Sequence, residues 1–285
     1  MALGMHDTRN VIHRTERCLE CHLGTKNKFV DHEMIAAGHA DLYFELDSFS
    51  AVMPRHWKFS RESEPGKPVD DAAWIGVREW STGQAVQLRV AMERLTWGAK
   101  GERFDKKDDW TEYSELSCVA CHHALGPAKE SWRQEHGYIG WRPGDPAWNS
   151  SRYALFRLLA KQIDSTNAPE LDRQLLAVSN EMSKLNPDRH AVASAASASA
   201  PLAQRIAEQL ATMEYDQAVA DERAAEQAAM AMDSLYIAYS RDAKPANAAE
   251  VRAAINELFQ QLENPSAYNA DQFASALRRI HTLLH

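Results

Sequence analysis

Two copies of one five-residue pattern constrain this chain more than any other feature in it. CLECH occupies residues 18 to 22 and CVACH residues 118 to 122, and together they use all four cysteines of a 285-residue sequence. Twelve histidines in 285 residues place a histidine at a given position about 4% of the time, so one directly behind both Cys-x-x-Cys pairs arises by accident on the order of 0.2% of the time. Chance is a poor explanation for the repeat.

A Cys-x-x-Cys pair serves as a redox dithiol, as half of a zinc site, as iron–sulfur ligands, or, with histidine next in line, as a covalent haem anchor. Thiols at i and i+3 lie on one side of a helical turn, where they can form thioethers to the two vinyl groups of a haem while the adjacent imidazole reaches the iron. On this reading Cys18, Cys21, Cys118 and Cys121 anchor two haems c, and His22 and His122 are the proximal iron ligands. The alternatives are a zinc site built from all four thiols, with the histidines incidental, and a pair of redox dithiols.

The texture of the chain divides it near residue 150. Residues 1–150 hold all four cysteines, all eight tryptophans and nine of the twelve histidines, and read as a loop-rich, site-bearing region. Its clearest helix is TGQAVQLRVAMERLTWGAK, residues 82 to 100, which puts Met92 on an apolar face. Residues 151–285 are rich in Ala, Leu, Glu, Gln and Arg, which carry a low helical cost, and read as a helical C-terminal region.

Apolar residues three and four apart predict helices over 150–164, 169–185, 201–213, 215–240, 247–263 and 269–284. Pro169 and Glu170 in a first turn, Asn247 and Asn269 as caps, and the Asn-Pro pairs at 186–187 and 264–265 supply starts and stops. AVASAASASA, residues 191 to 200, reads as a flexible or weakly helical connection, with Pro201 opening the next helix. The expected fold class is mainly α, a loop-rich multihaem cytochrome region followed by a helical bundle.

A formal net charge of −8 argues against nucleic acid or an anionic membrane as the main partner, since both require clustered Lys and Arg. No stretch approaches eighteen consecutive apolar residues, so no membrane span is expected and the chain should be soluble. Phosphate loops, nucleophile elbows and HExxH strings are absent from the sequence.

The runs CLECHLG, FVDHEMIAAGHADLYFELDSFSAVMPRHW and WTEYSELSCVACHHALGPAKESWRQ resemble the multihaem c-type cytochromes of the cytochrome c554 type over roughly residues 4 to 150. That resemblance implies loops and short helices packed around haems, single-electron transfer as the activity, and redox proteins as partners. An oxidoreductase acting on a small nitrogen or sulfur compound at an open haem site is the alternative. The resemblance also implies a periplasmic or otherwise extracytoplasmic location, because haem attachment of this type takes place outside the cytoplasm in bacteria. Members usually carry an export signal and further CxxCH motifs, so an N-terminal truncation is expected.

Distal ligands are sought among the remaining histidines. AAGH makes His39 the first choice, with Gly38 allowing a flat macrocycle to approach. His32 comes second. On a continuous helix His32 and His39 would stand two turns apart, about 10 Å along the axis, and could serve two irons. His56, in MPRHW, and His123, beside a proximal ligand, complete the set. Met34 and Met53 are competing axial ligands, and Arg55, Arg133 and Arg142 are candidates for pairing with propionates.

Overall fold

The computed structural model describes residues 6–42, 44–54, 72–103, 108, 110–118, 121–122, 146–149, 153, 156–212, 247–262, 279 and 282–283. Eight α-helices occur among them, with a single two-residue hairpin, so the chain is mainly α as expected.

Helix α1, Val11–His22, begins at Asn10, whose side-chain oxygen accepts the His13 N–H at 3.1 Å and so caps an otherwise unsatisfied donor. It buries Val11, Arg14, Thr15 and Leu19, a stripe spaced three and four residues apart. The hairpin that follows pairs β1, Gly24–Thr25, with β2, Lys28–Phe29. Gly24 is obligatory there. Its φ is +83° and a Cβ would lie 2.2 Å from the Lys28 carbonyl oxygen.

Two short helices come next, α2 over His32–Ala36 and α3 over Leu46–Val52. The central element is α4, Ala72–Ala99, which starts ten residues earlier than the periodicity predicts. From Glu79 to Thr96 nearly every side chain is buried, as befits a helix surrounded on all sides. Helices α1 and α3 pack on it from the N-terminal region. Gly83 lets α3 approach closely, since a Cβ there would be 3.0 Å from Leu46 Cβ. Met92 is fully buried among core residues, in keeping with its apolar-face placement.

The second stretch contributes α5, Phe156–Ile163, α6, Ala168–Met182, α7, Arg189–Thr212, and α8, Ala248–Leu262. Pro169 lies in the first turn of α6, where its missing N–H costs nothing. Asn247 starts α8 through its backbone carbonyl, which accepts the Glu250 and Val251 N–H groups, while its side-chain amide donates to the Leu283 carbonyl. The helices expected over 215–240 and 269–284, and the cap at Asn269, fall outside the described residues apart from isolated positions near the C-terminus.

One expectation is overturned. AVASAASASA is not a connection but the interior of α7, which runs through it and past Pro201 to Thr212. Val192, Ala193, Ala195, Ala196, Ser199 and Ala200 are buried, and α7 makes the most extensive helix–helix packing in the molecule, against α4. Low complexity here reflects a packing requirement, since small side chains let two long helices lie close together. Ser199 satisfies its buried hydroxyl by donating to the Ala195 carbonyl at 2.9 Å. Pro201 is tolerated because it sits on the exposed face. One continuous hydrophobic core extends from Val11 to Leu210, so the change of texture near residue 150 does not interrupt the packing. No helix among the described residues is long and apolar enough to cross a membrane.

A proline inside a helix removes one backbone hydrogen bond and strains the preceding turn. Pro201→Ala is therefore expected to stabilise the protein by about 1–3 kcal/mol in urea denaturation; a loss of stability would show instead that the ring packs favourably where it is.

Candidate functional site

Both CxxCH segments form helical turns. The first is the last turn of α1, with Cys18 partly buried, Cys21 exposed and His22 the final helical residue. In the second, the His122 and Cys121 N–H groups donate to the Cys118 carbonyl at 2.7 and 3.2 Å, and Cys118, Cys121 and His122 are all exposed. Residues 115 to 117 leading into it are tied down by a Leu116–Trp148 bridge and by bonds from Ser117 to Ala147 and from Asn149 to Glu115. All four cysteines are free thiols.

The segment from Asp31 to Phe49 brings His32 to the second motif and two aromatic rings to the first. The ring of His32, first residue of α2, stacks on His122 with centroids 6.2 Å apart and planes at 28°, and meets Tyr113 edge-on at 5.9 Å. Phe44 and Phe49 pack on His22 at 4.7 and 4.8 Å. Burial, and after it the charge of His39, holds the His22 imidazolium below its ordinary range, which favours the neutral ring an iron needs. His39 thus lies within electrostatic reach of His22, and His32 stands beside His122.

The two distal candidates are not two turns apart on one helix, as their spacing suggests. Helix α2 ends at Ala36 and Gly38 reverses the chain with φ at +105°, a conformation that favours glycine. A Cβ on Gly38 would meet nothing within 4 Å, so the space beside it is open. His39 Nδ1 lies 2.6 Å from the Ala40 carbonyl oxygen. That bond requires Nδ1 to donate, so that whenever the ring is neutral Nε2 is its acceptor, the tautomer suited to metal ligation.

A buried guanidinium connects the two motifs. Arg94, on α4, donates through Nη1 to the Leu23 carbonyl at 2.7 Å, one residue past His22. Through Nη2 it donates to Ser114 Oγ at 2.8 Å, and through Nε to Glu115, three residues before Cys118. The Phe29 ring is held between Arg94 and Arg103, whose guanidinium carbons lie 3.7 and 4.1 Å from its centroid. Arg103 faces Asp31 and Glu112, and Glu112 accepts the His32 N–H at 2.9 Å. A single network therefore fixes the end of α1, the start of α2 and the approach to the second motif.

Beside Phe44, Glu45 caps α3 by accepting the N–H groups of Asp47 and Ser48 at 2.9 and 2.8 Å. Burial, reinforced by the nearby Asp47 carboxylate, pushes its carboxyl up to about 7. Burial also raises the Cys18 thiol above its ordinary value. Reactive redox dithiols depend on a lowered thiol value, so the setting of Cys18 does not favour the dithiol reading at the first motif. Nor are the four thiols gathered as a zinc site requires. Among the described residues no group of three or more His, Cys, Asp or Glu side chains could hold a metal ion.

For thioether-bound haem the residues fit better. Each turn offers two free thiols with an imidazole next in line, the first with an aromatic wall and open space at Gly38. Met34, Val52, Met53 and Tyr113 are large apolar residues exposed in the surrounding segments. His56 and His123, like Arg55, Arg133 and Arg142, lie outside the described residues. Sequence reasoning missed Arg94, Glu45 and Phe49 as site-supporting residues. FEL at 44–46 was the one local signal, and nothing in the sequence around Arg94 marks it as buried.

No family model matches this chain, and no curated protein or solved structure matches it either.

Removing one partner of a buried ion pair leaves the other charge stranded. Arg94→Met should cost about 3–5 kcal/mol in chemical denaturation, and adding Glu115→Leu should recover most of it; equal losses for the single and double variants would show that the ion pair is not the source. Glu45 has the opposite linkage to an ordinary carboxylate. The folded protein keeps the proton up to about pH 7, whereas the unfolded chain releases it near 4.5, so stability falls as pH rises between those values. Glu45→Gln is expected to flatten that decline in melting temperature measured from pH 4.5 to 7.5.

Proposed function

We propose that the protein is an extracytoplasmic electron-transfer cytochrome of the c554-like multihaem class that carries two covalently attached haems c. The observation that carries this reading is the pairing. Two Cys-x-x-Cys-His segments are tied to one buried network, His32 stands beside His122, and His39 lies within electrostatic reach of His22.

Cys18 and Cys21 would anchor one haem, and Cys118 and Cys121 the other, with His22 and His122 as proximal ligands. When bound, haem iron supplies a one-electron couple. The chain's own residues do the rest. In this reading His39 and His32 would be the second histidine ligands, which would keep small molecules from the iron and favour relay over chemistry on a substrate. Phe44 and Phe49 pack on His22 and would limit water around it, and the Arg94 network ties together the segments that carry the two anchors, as stepwise transfer between them would require. Partners in this reading are redox proteins. Covalent attachment outside the cytoplasm is the reason for the proposed location.

The test is spectroscopic. Protein made behind an added export signal, in a host with c-type maturation machinery, should give a c-type pyridine haemochrome with two haems per chain and a low-spin spectrum indifferent to added cyanide or nitrite. Cys18→Ser with Cys21→Ser should lower the count to one, as should the corresponding pair at 118 and 121. His39→Ala should convert one haem to a high-spin form that binds added ligands. A wild-type spectrum already high-spin and ligand-binding would replace electron relay with catalysis at an open site.

A further inference from the structure

The first N–H groups of a helix have no acceptor within it, and α2 meets that need in two ways. Asp31 accepts the Met34 N–H at 2.9 Å as an ordinary cap. The His32 N–H goes instead to Glu112 Oε1, also at 2.9 Å, on a carboxylate 80 residues further along the chain. The same oxygen accepts the Ser114 N–H at 3.1 Å. One oxygen of a buried side chain thus joins the backbone of His32 to the 3-10 turn Tyr113–Glu115 that leads into the second motif.

A backbone bond places His32 but leaves its ring free to turn about χ1 and χ2. The residue after Glu112 supplies what that bond does not. Tyr113 meets the His32 ring edge-on, with centroids 5.9 Å apart and planes at 87°. Tyr113 is 67% exposed, so the contact is not a by-product of core packing.

Held through backbone and ring, His32 has its centroid 6.2 Å from that of His122, with 28° between the two planes. Two imidazoles bound to one metal through bonds of about 2 Å have ring centres about 6 Å apart, so a shared iron needs no change in that separation.

Resting on the haem reading above, we propose that Glu112 and Tyr113 are positioning residues for His32, and that together they keep the two axial imidazoles of the second haem nearly parallel. Neither residue is a ligand, and each acts on the iron only through His32. The effect is electronic. Parallel imidazole planes act on the same member of the iron dπ pair and split it, whereas crossed planes act on both members and leave them close in energy.

Electron paramagnetic resonance of the oxidised, fully matured protein tests this, with His32→Ala identifying the second haem's signal as the one it replaces with a high-spin form. In the wild type that signal should be rhombic, with three resolved g values. Tyr113→Ala and Glu112→Gln should each retain two low-spin haems and move its lowest-field feature to higher g, toward the crossed-plane type, while the other haem's signal stays in place. Tyr113→Phe keeps the edge contact and should match the wild type. Because Tyr113 is exposed, its variants should keep the wild-type melting temperature even if Glu112→Gln loses stability. A wild-type signal of the crossed type, an unmoved signal in Tyr113→Ala or in folded Glu112→Gln, or equal shifts in the alanine and phenylalanine variants would each overturn the assignment with two haems still present. So would a His32→Ala protein whose haems both stay low-spin. A polypeptide free of haem would overturn the assignment together with the haem reading, and intact mass distinguishes that case from the others.

Discussion

The Arg94 guanidinium is the interaction on which the arrangement of the site depends. Three of its nitrogens reach the Leu23 carbonyl, Ser114 and Glu115, so one side chain on the central helix grips the residues just after the first motif and just before the second. Only arginine offers this. Its planar fork presents donors in several directions at once and stacks on an aromatic face, here Phe29, whereas a lysine would deliver a single point charge. Burying such a charge is costly unless it is paired and hydrogen-bonded, and here each of the three nitrogens donates a bond and Glu115 is the counter-ion. The chain accepts that cost and gains a fixed separation between two segments a hundred residues apart.

The rigidity has a source in packing. Helix α4 carries Arg94 and is enclosed by α1, α3 and α7, and its contact with α7 is close because α7 presents alanine and serine where the two meet. A scaffold of this kind leaves the motif-bearing segments free to be irregular. The short hairpin, the five-residue α2 and the reversal at Gly38 would be weak elements alone, but each is pinned to the central helix or to its neighbours. What these segments then present is a set of partly or fully exposed thiols and imidazoles in defined positions, with aromatic rings against His22.

How much of this was legible in the sequence differs by element. The two CxxCH strings announce their own local geometry, because the spacing needs a helical turn and both adopt one. Helices α5, α6 and α8 follow from apolar periodicity and from Pro169, all local signals. Helix α4 was visible over its last eighteen residues, where apolar residues dominate, and not over its beginning. The AVASAASASA run misleads for a physical reason. Alanine and serine carry no periodic contrast, so their role appears only when α4 is placed beside them, and Pro201 reads as a start when it is a tolerated interruption. The separation of His32, which stands beside His122, from His39 was out of reach because it depends on a break at Ala36 and a glycine turn, which uncouple two residues whose spacing suggests one helix. Arg94 gave no sign at all, since burial of a charge is decided by partners far away in sequence.

The central claim is that both turns are covalent haem anchors. Intact mass spectrometry under denaturing conditions, on protein exported from a host with c-type maturation machinery, tests it most directly. The account predicts a single species heavier than the polypeptide by two haems, surviving denaturation because the links are thioethers. A polypeptide mass without haem, with zinc found in the native protein, would contradict it and leave a metal-held helical scaffold in its place.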